Sequence, residues 1–331
     1  MNRRQFLGSA ATAAMIATWP GWLRRAFADK PALEQAAADL SVLSEGYRRA
    51  QRAGKPLLVL IIPADANQKY ERGGAFGEYL NHGGTEQLAP LALCEVACAE
   101  MASLRRLVPD AGEGDPLMVL VETDRLPARV QRLEVALAQD PKSLWFGGVD
   151  EDTEVPGSSK RKKKETEEER WQRRFEAQRR KEEASIAKRI EQIAALVQQA
   201  VQPDMALLEQ RAAQVRAHVS RVGEIAPAQF ERDLAGGATV SQAQVEEAPA
   251  LVALAAVRAQ GARREALLAL LAGVVVARLR RVPPAGSRWA VSSGCGMRIE
   301  GQTQQVMVAC GMGHVPEKSA RFLYFFAKNE E

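Results

Sequence analysis

The side chains best suited to chemistry gather near the C-terminus. Gly294-Cys295-Gly296-Met297 recurs as Cys310-Gly311-Met312-Gly313, and His314 follows directly. The two Cys-Gly-Met triplets lie 15 positions apart. Glycines beside each cysteine allow close backbone approach. Met297 to Ile299 and Val306 to Val308 are strand formers of matched length, with Gly301 to Gln305 between them as a polar turn. Antiparallel pairing about Gln302 and Thr303 would set Cys295 opposite Cys310, within disulfide reach. Four chemistries fit this pattern. A Cys295–Cys310 disulfide would need no role beyond stabilising the hairpin in an oxidising compartment. Thiolates, the Met297 and Met312 thioethers and His314 form a ligand set for copper(I) or zinc. The cysteines could also be a redox-active pair, or two buried free thiols. The spacing matches no paired Cys-x-x-Cys zinc pattern.

Elsewhere catalytic patterns are sparse, and the sequence leans away from an enzyme. His82, His218 and His314 are the only histidines. Neither His-Glu-x-x-His nor Gly-x-Ser-x-Gly occurs. Gly73, Gly74, Gly77, Gly83 and Gly84 enrich one stretch without forming a phosphate-binding pattern, which reads as a flexible loop with His82 at the surface or in a cap. Cys94 and Cys98, four apart, read as small hydrophobic core residues. Five consecutive cations, Lys160 to Lys164, could touch an anionic surface or an acidic partner. Glutamates among residues 165–169 neutralise them next door and favour a solvated helix start.

The elements that would position these groups follow from periodicity. Residues 33–54 read as an amphipathic helix ending near Gly54. Lys55-Pro56 leads into the apolar run Leu57 to Ile62, of the kind a buried central strand shows. A glycine-rich loop and helix, a strand over about 91–98, a short helix to Leu107 and a strand opened by Pro116 come next. Residues 147–164 form a charged linker. Residues 165–201 read as one long charged helix, largely exposed, with Trp171, Phe175, Ile186, Ile190, Ile193 and Leu196 as sparse apolar positions. Pro203 ends it. Shorter Ala/Leu helices then divide at Pro227, Gly236-Gly237, Pro249 and Gly261 as far as 282. Residues 283–331 carry the Cys/Gly/Met hairpin and an aromatic tail, Phe322 to Phe326, read as a terminal helix or extended segment.

The order helix, strand, helix, strand, helix, loop, Pro, strand over roughly residues 36–140 resembles the thioredoxin-like fold. Gly54-Lys55-Pro56 matches the approach to that family's first buried strand, and Asp115-Pro116-Leu117 matches its cis proline ahead of a later strand. Where the family places Cys-x-x-Cys, this chain has Pro63-Ala64-Asp65-Ala66-Asn67-Gln68. The resemblance therefore implies the fold for residues 29–146 without dithiol chemistry. The fold class expected is α+β and helix-rich: a thioredoxin-like α/β domain, a helical region over 165–282 and a small C-terminal β-hairpin.

The N-terminus carries an address. Asn2-Arg3-Arg4-Gln5-Phe6-Leu7-Gly8 resembles the twin-arginine export signal. An Ala-rich apolar stretch follows, and Ala26-Phe27-Ala28 offers small residues to a peptidase. That stretch is too short to span a bilayer and is interrupted by Pro20. Removal of residues 1–28 takes away four arginines and no carboxylate, which leaves 41 basic against 41 acidic residues. A net-basic nucleic-acid binder is thereby disfavoured. The expectation is a periplasmic protein with no membrane span after cleavage. Its function would be binding or assembly, with a protein partner held by the helical region. The alternative is a thiol-redox or copper-handling protein working through Cys295, Met297, Cys310, Met312 and His314.

Replacing Arg3 and Arg4 by Lys is expected to leave the precursor in the cytoplasm, because the route that the signal resembles reads the paired guanidinium groups. Fractionation followed by immunoblotting checks this, and periplasmic delivery of the double variant would contradict it.

Overall fold

In a computed structural model, the described residues are 43–63, 66–124, 128–138, 166–202 and 204–279, together with the strand segments 289–292, 306–307 and 322–325. The architecture is helix-rich α+β. Helix α1, over 43–52, stops at Gly54, whose φ of 60° a side-chain-bearing residue would adopt only with strain. Strand β1 (Leu57–Ile61) is buried at every position, as its unbroken apolar sequence requires. It pairs in parallel with β2 (Glu95–Ala99) and antiparallel with β3 (Met118–Glu122). Strand β4 (Arg129–Leu133) then pairs antiparallel with β3, so the sheet order is β2-β1-β3-β4. The alternation of polar and apolar residues in β4 suits this edge position, although the sequence analysis named no strand there.

Both faces of the sheet are covered. Leu57, Val59, Ile61, Val119 and Val121 share one apolar cluster with Leu43 and Ala50 of α1 and with Met101 and Leu104 of α4 (Met101–Leu107). Leu58, Leu60, Met118 and Leu120 face the other way. There they join Phe76, Tyr79 and Leu80 of α2 (Ala66–His82), Ile186, Ile193 and Val197 of α5 (Glu167–Val201), and the helices that follow. These are α6 (Met205–His218), α7 (Pro227–Gly236), α8 (Gln242–Glu247), α9 (Pro249–Arg258) and α10 (Gly261–Leu279). The breaks read at Pro227, Pro249 and Gly261 are the first residues of three of these helices, and Gly237 (φ 81°) caps α7. One continuous apolar core thus joins the sheet to the helical region.

Three expectations need correction. Gly73, Gly74 and Gly77 lie inside α2 rather than in a loop, and His82 is its last residue. Burial of Phe76, Tyr79 and Leu80 overrides their poor helix propensity. The second strand starts later than read, because α3 (Thr85–Leu88) runs on into a 3-10 helix, Ala89–Leu93, with Pro90 in its first turn. Helix α5 is less exposed than read, since a buried stripe begins at Gln178 and runs to its end while the opposite face stays exposed. From Glu182 onward it buries Ile186, Ile190, Ile193, Ala194 and Val197. Of the two alternatives read for the aromatic tail, helix or extended segment, Phe322–Phe325 takes the extended one, as a strand. It pairs antiparallel with Trp289–Ser292, to which Val306–Met307 pairs in parallel. The expected arm at 297–299 and both C-terminal cysteines lie outside the described residues, as do residues 1–28, read as an export signal, and 147–164, read as a linker.

A buried ion pair fixes α5 on α2. The Arg189 guanidinium donates through Nη2 to Glu78 Oε1 at 2.7 Å and through Nε to Oε2 at 2.8 Å, with both side chains only 5% exposed. Arg189 also donates to Ser185 Oγ at 3.1 Å. Gln192 extends the attachment, accepting from Ala138 N and donating to Ala136 O beyond β4. Glu78→Gln and Arg189→Met are each expected to cost about 3–5 kcal/mol, because each strands a buried partner. The double variant Glu78→Leu/Arg189→Met should fall well short of the summed losses, as urea unfolding will measure.

Candidate functional site

The turn after β1 and the loop ahead of β3 lie side by side at one end of the sheet. They present Pro63 and Pro116, both buried. Arg72 of α2 donates through Nη1 to the Pro116 carbonyl at 3.0 Å, and Ile61 N donates to Leu117 O. The guanidinium thus ties the helix to the loop. The thiols nearest in sequence are elsewhere. Cys94 precedes β2, and Cys98 lies within it opposite Leu60 of β1. Both are buried free thiols in the apolar cluster, as read from sequence. Burial pushes the Cys94 thiol up to about 12, with Arg278 opposing, and burial raises Cys98 further. Since the thiolate is the nucleophile and the metal ligand, neither is reactive near neutral pH.

Ionisable groups converge at the opposite end of the sheet, where α8 and α10 meet the starts of β1 and β2. Lys55 is buried and donates from Nζ to the Glu246 carbonyl at 3.3 Å. Its own carbonyl accepts from Thr123 Oγ1 at 2.8 Å. Arg278 donates through Nη1 to Cys94 O at 2.9 Å and through Nη2 to Ala92 O at 3.2 Å. Its guanidinium stands 3.9 Å from Glu95 Oε1 and 3.7 Å from Glu246 Oε1. On the far side, Arg211 of α6 donates to Val201 O and lies 4.0 Å from Glu122. The cleft between Lys55, Glu122, Asp124 and Arg211 has a volume of about 20 Å³, room for about one water. Carbonyls and carboxylates of the sheet domain and the helical region share these cations, so the seam acts as a clamp between the two parts.

Sequence reasoning singled out neither Glu95, Glu246, Arg211 nor Arg278. The signal that could have found them is the placement of single charges at the ends of strongly apolar elements, where a cation must find buried carbonyls. A second recess, of about 340 Å³, opens among α7, α9 and α10. Its walls are Leu234, Leu251, Leu254 and Leu267, with Arg258 and Arg263 at the rim. Arg263 donates to Leu234 O and thereby caps the end of α7.

Cys295, Met297, Cys310, Met312 and His314 all fall outside the described residues. Among the described residues no cluster of three His, Cys, Asp or Glu side chains could hold a metal, and no helix is long and apolar enough to cross a membrane.

The clamp makes stability depend on pH. Burial first, then the Arg278 charge, lower the Lys55 ammonium from 10.5 to about 8. Its contribution is therefore fully present above 10.5 and is lost as pH falls through 8. The raised thiols act oppositely. The Cys94 contribution is present below 9 and disappears as pH rises through about 12. Stability should rise between about pH 7.5 and about pH 8.5 in the native chain but not in Lys55→Met, the two diverging by about 0.7 kcal/mol. Urea midpoints at the two pH values check this, and parallel curves would contradict it.

No protein-family model, curated protein or solved structure matches this chain.

Proposed function

We propose that the chain is an exported periplasmic binding or assembly protein. In this reading its N-terminal half is a redox-inactive thioredoxin-like scaffold, and its helical region holds a protein partner. The order and direction of the strands support the thioredoxin-like reading. A parallel β1–α2–β2 unit continues into antiparallel β3 and β4, helices cover both faces, and Pro116 stands just ahead of β3. The observation that carries the loss of chemistry is the state of the sulfurs. The turn after β1 has no cysteine in its sequence, and Cys94 and Cys98 are buried thiols held protonated. A fold that keeps its frame but sets aside its nucleophile is suited to binding.

The helical region offers the binding surface. In the first turns of α5 the exposed Trp171 ring stacks on the half-buried Phe175, and aromatic rings are enriched where proteins meet their partners. A photo-crosslinking residue in place of Trp171 is expected to give discrete periplasmic protein adducts, whereas one in place of the exposed Arg52 on α1 should give none. Identical patterns from both sites, or none from Trp171, would overturn the binding role. The purified protein should also fail to reduce insulin. Turnover there, or one equivalent of copper or zinc, would favour the C-terminal Cys/Met/His cluster instead.

A further inference from the structure

We propose that the partner of the first half of α5 is a second copy of the same chain, paired antiparallel through the exposed face of residues 167–181, beside the buried Gln178. This deepens the reading of the helical region as a protein-binding element and rests on it.

Gln178, Glu182, Ile186 and Arg189 lie at three- and four-residue spacing and are buried against the body of the fold. The same stripe continues toward the N-terminus through Phe175 and Trp171. There the helix has left the core, and Trp171 is 54% exposed. The two rings stack with centroids 5.2 Å apart, which fixes a preformed apolar knob on an otherwise charged surface. A helix bearing such a knob with flanking charges buries it most simply against another helix.

The charges choose which helix and which direction. The capping box between Thr166 and Glu169 starts the helix, so Glu169 is engaged at the N-terminus. Glu167 and Glu168 are exposed and flank the aromatic stripe at its start. Arg179, 61% exposed and 2.9 Å from Glu183, flanks it three turns later. In a parallel pair, Glu167 and Glu168 would face their own counterparts. In the antiparallel pair, the register that lays Trp171 over the second copy's Phe175 also lays Glu167 opposite the second copy's Arg179. The contact is isologous, so each favourable meeting occurs twice about one two-fold axis. The body of each copy attaches from Gln178 onward, so this direction also carries the two folds to opposite ends of the joint. A two-helix contact of four turns is small, which makes the pairing weak, concentration-dependent and sensitive to salt.

Sedimentation velocity on the full mature chain tests this. Dimer should appear as the concentration rises through the micromolar range. It should dissociate when salt is raised from about 0.05 M to about 0.5 M. Trp171→Ala/Phe175→Ala should weaken it by about tenfold or more, with helix content unchanged because both rings stand outside the core. Charge reversal gives the sharper readout. Glu167→Lys/Glu168→Lys and Arg179→Glu should each be monomeric alone, whereas an equimolar mixture should form a heterodimer. A native chain monomeric throughout, or reversed variants that dimerise alone as the native chain does, would overturn the proposal. If the chain is monomeric while a crosslinker at position 171 captures another protein, this inference fails and the wider binding role survives. If neither pairing nor adducts occur, both fail.

Discussion

Neither face of the sheet's two central strands can meet water, and the rest of the molecule follows from that constraint. Every residue of β1 is buried, as are four of the five in β3. A strand carries side chains on both faces, so two separate apolar layers must be supplied. One is small and local, built from α1 and α4. The other needs far more cover than α2 alone offers, and the helical region provides it through α5 to α10. Chain that sequence would assign to two domains therefore shares one core.

Apolar burial brings these layers together without fixing how they are oriented. Orientation comes from charged groups whose partners lie far off in sequence. Glu78 and Arg189 set the angle of α5 on α2 through two charge-assisted hydrogen bonds. Lys55 and Arg278 set α8 and α10 against the strand starts by reaching backbone carbonyls of Glu246, Cys94 and Ala92. Such groups add little net stability over apolar replacements. Their geometry is specific, and a misplaced helix would leave them buried and unpaired.

Helix α5 links fold to function. Its C-terminal half completes the core and is locked there, so its N-terminal half projects as a continuation of a rigid element. A contact made at Trp171 is held by the same helix that packs on α2. The sheet domain meanwhile keeps its cysteines beneath helices, where the apolar surroundings hold them protonated. Both features are what the proposed binding role calls for.

Local pattern alone was enough to place β1, α4, α5 and the breaks at Pro227, Pro249 and Gly261. Unbroken apolar runs, N-cap residues, proline and glycine act within a few residues of where they stand. The burial of Cys94 and Cys98 was legible for the same reason, since both sit in apolar stretches. Tertiary packing decided the rest. The glycines of α2 are helical because Phe76, Tyr79 and Leu80 are buried against distant residues. The polar-looking β4 is a strand because the edge of β3 was free to pair with it. Helix α5 sinks into the core halfway along because α2 presents Glu78 to Arg189, 111 positions away. The clamp at Lys55 was invisible in sequence because its partners lie nearly two hundred residues off. Periodicity reports which side of an element is apolar, but the partner of a charge is fixed only when the chain has closed on itself.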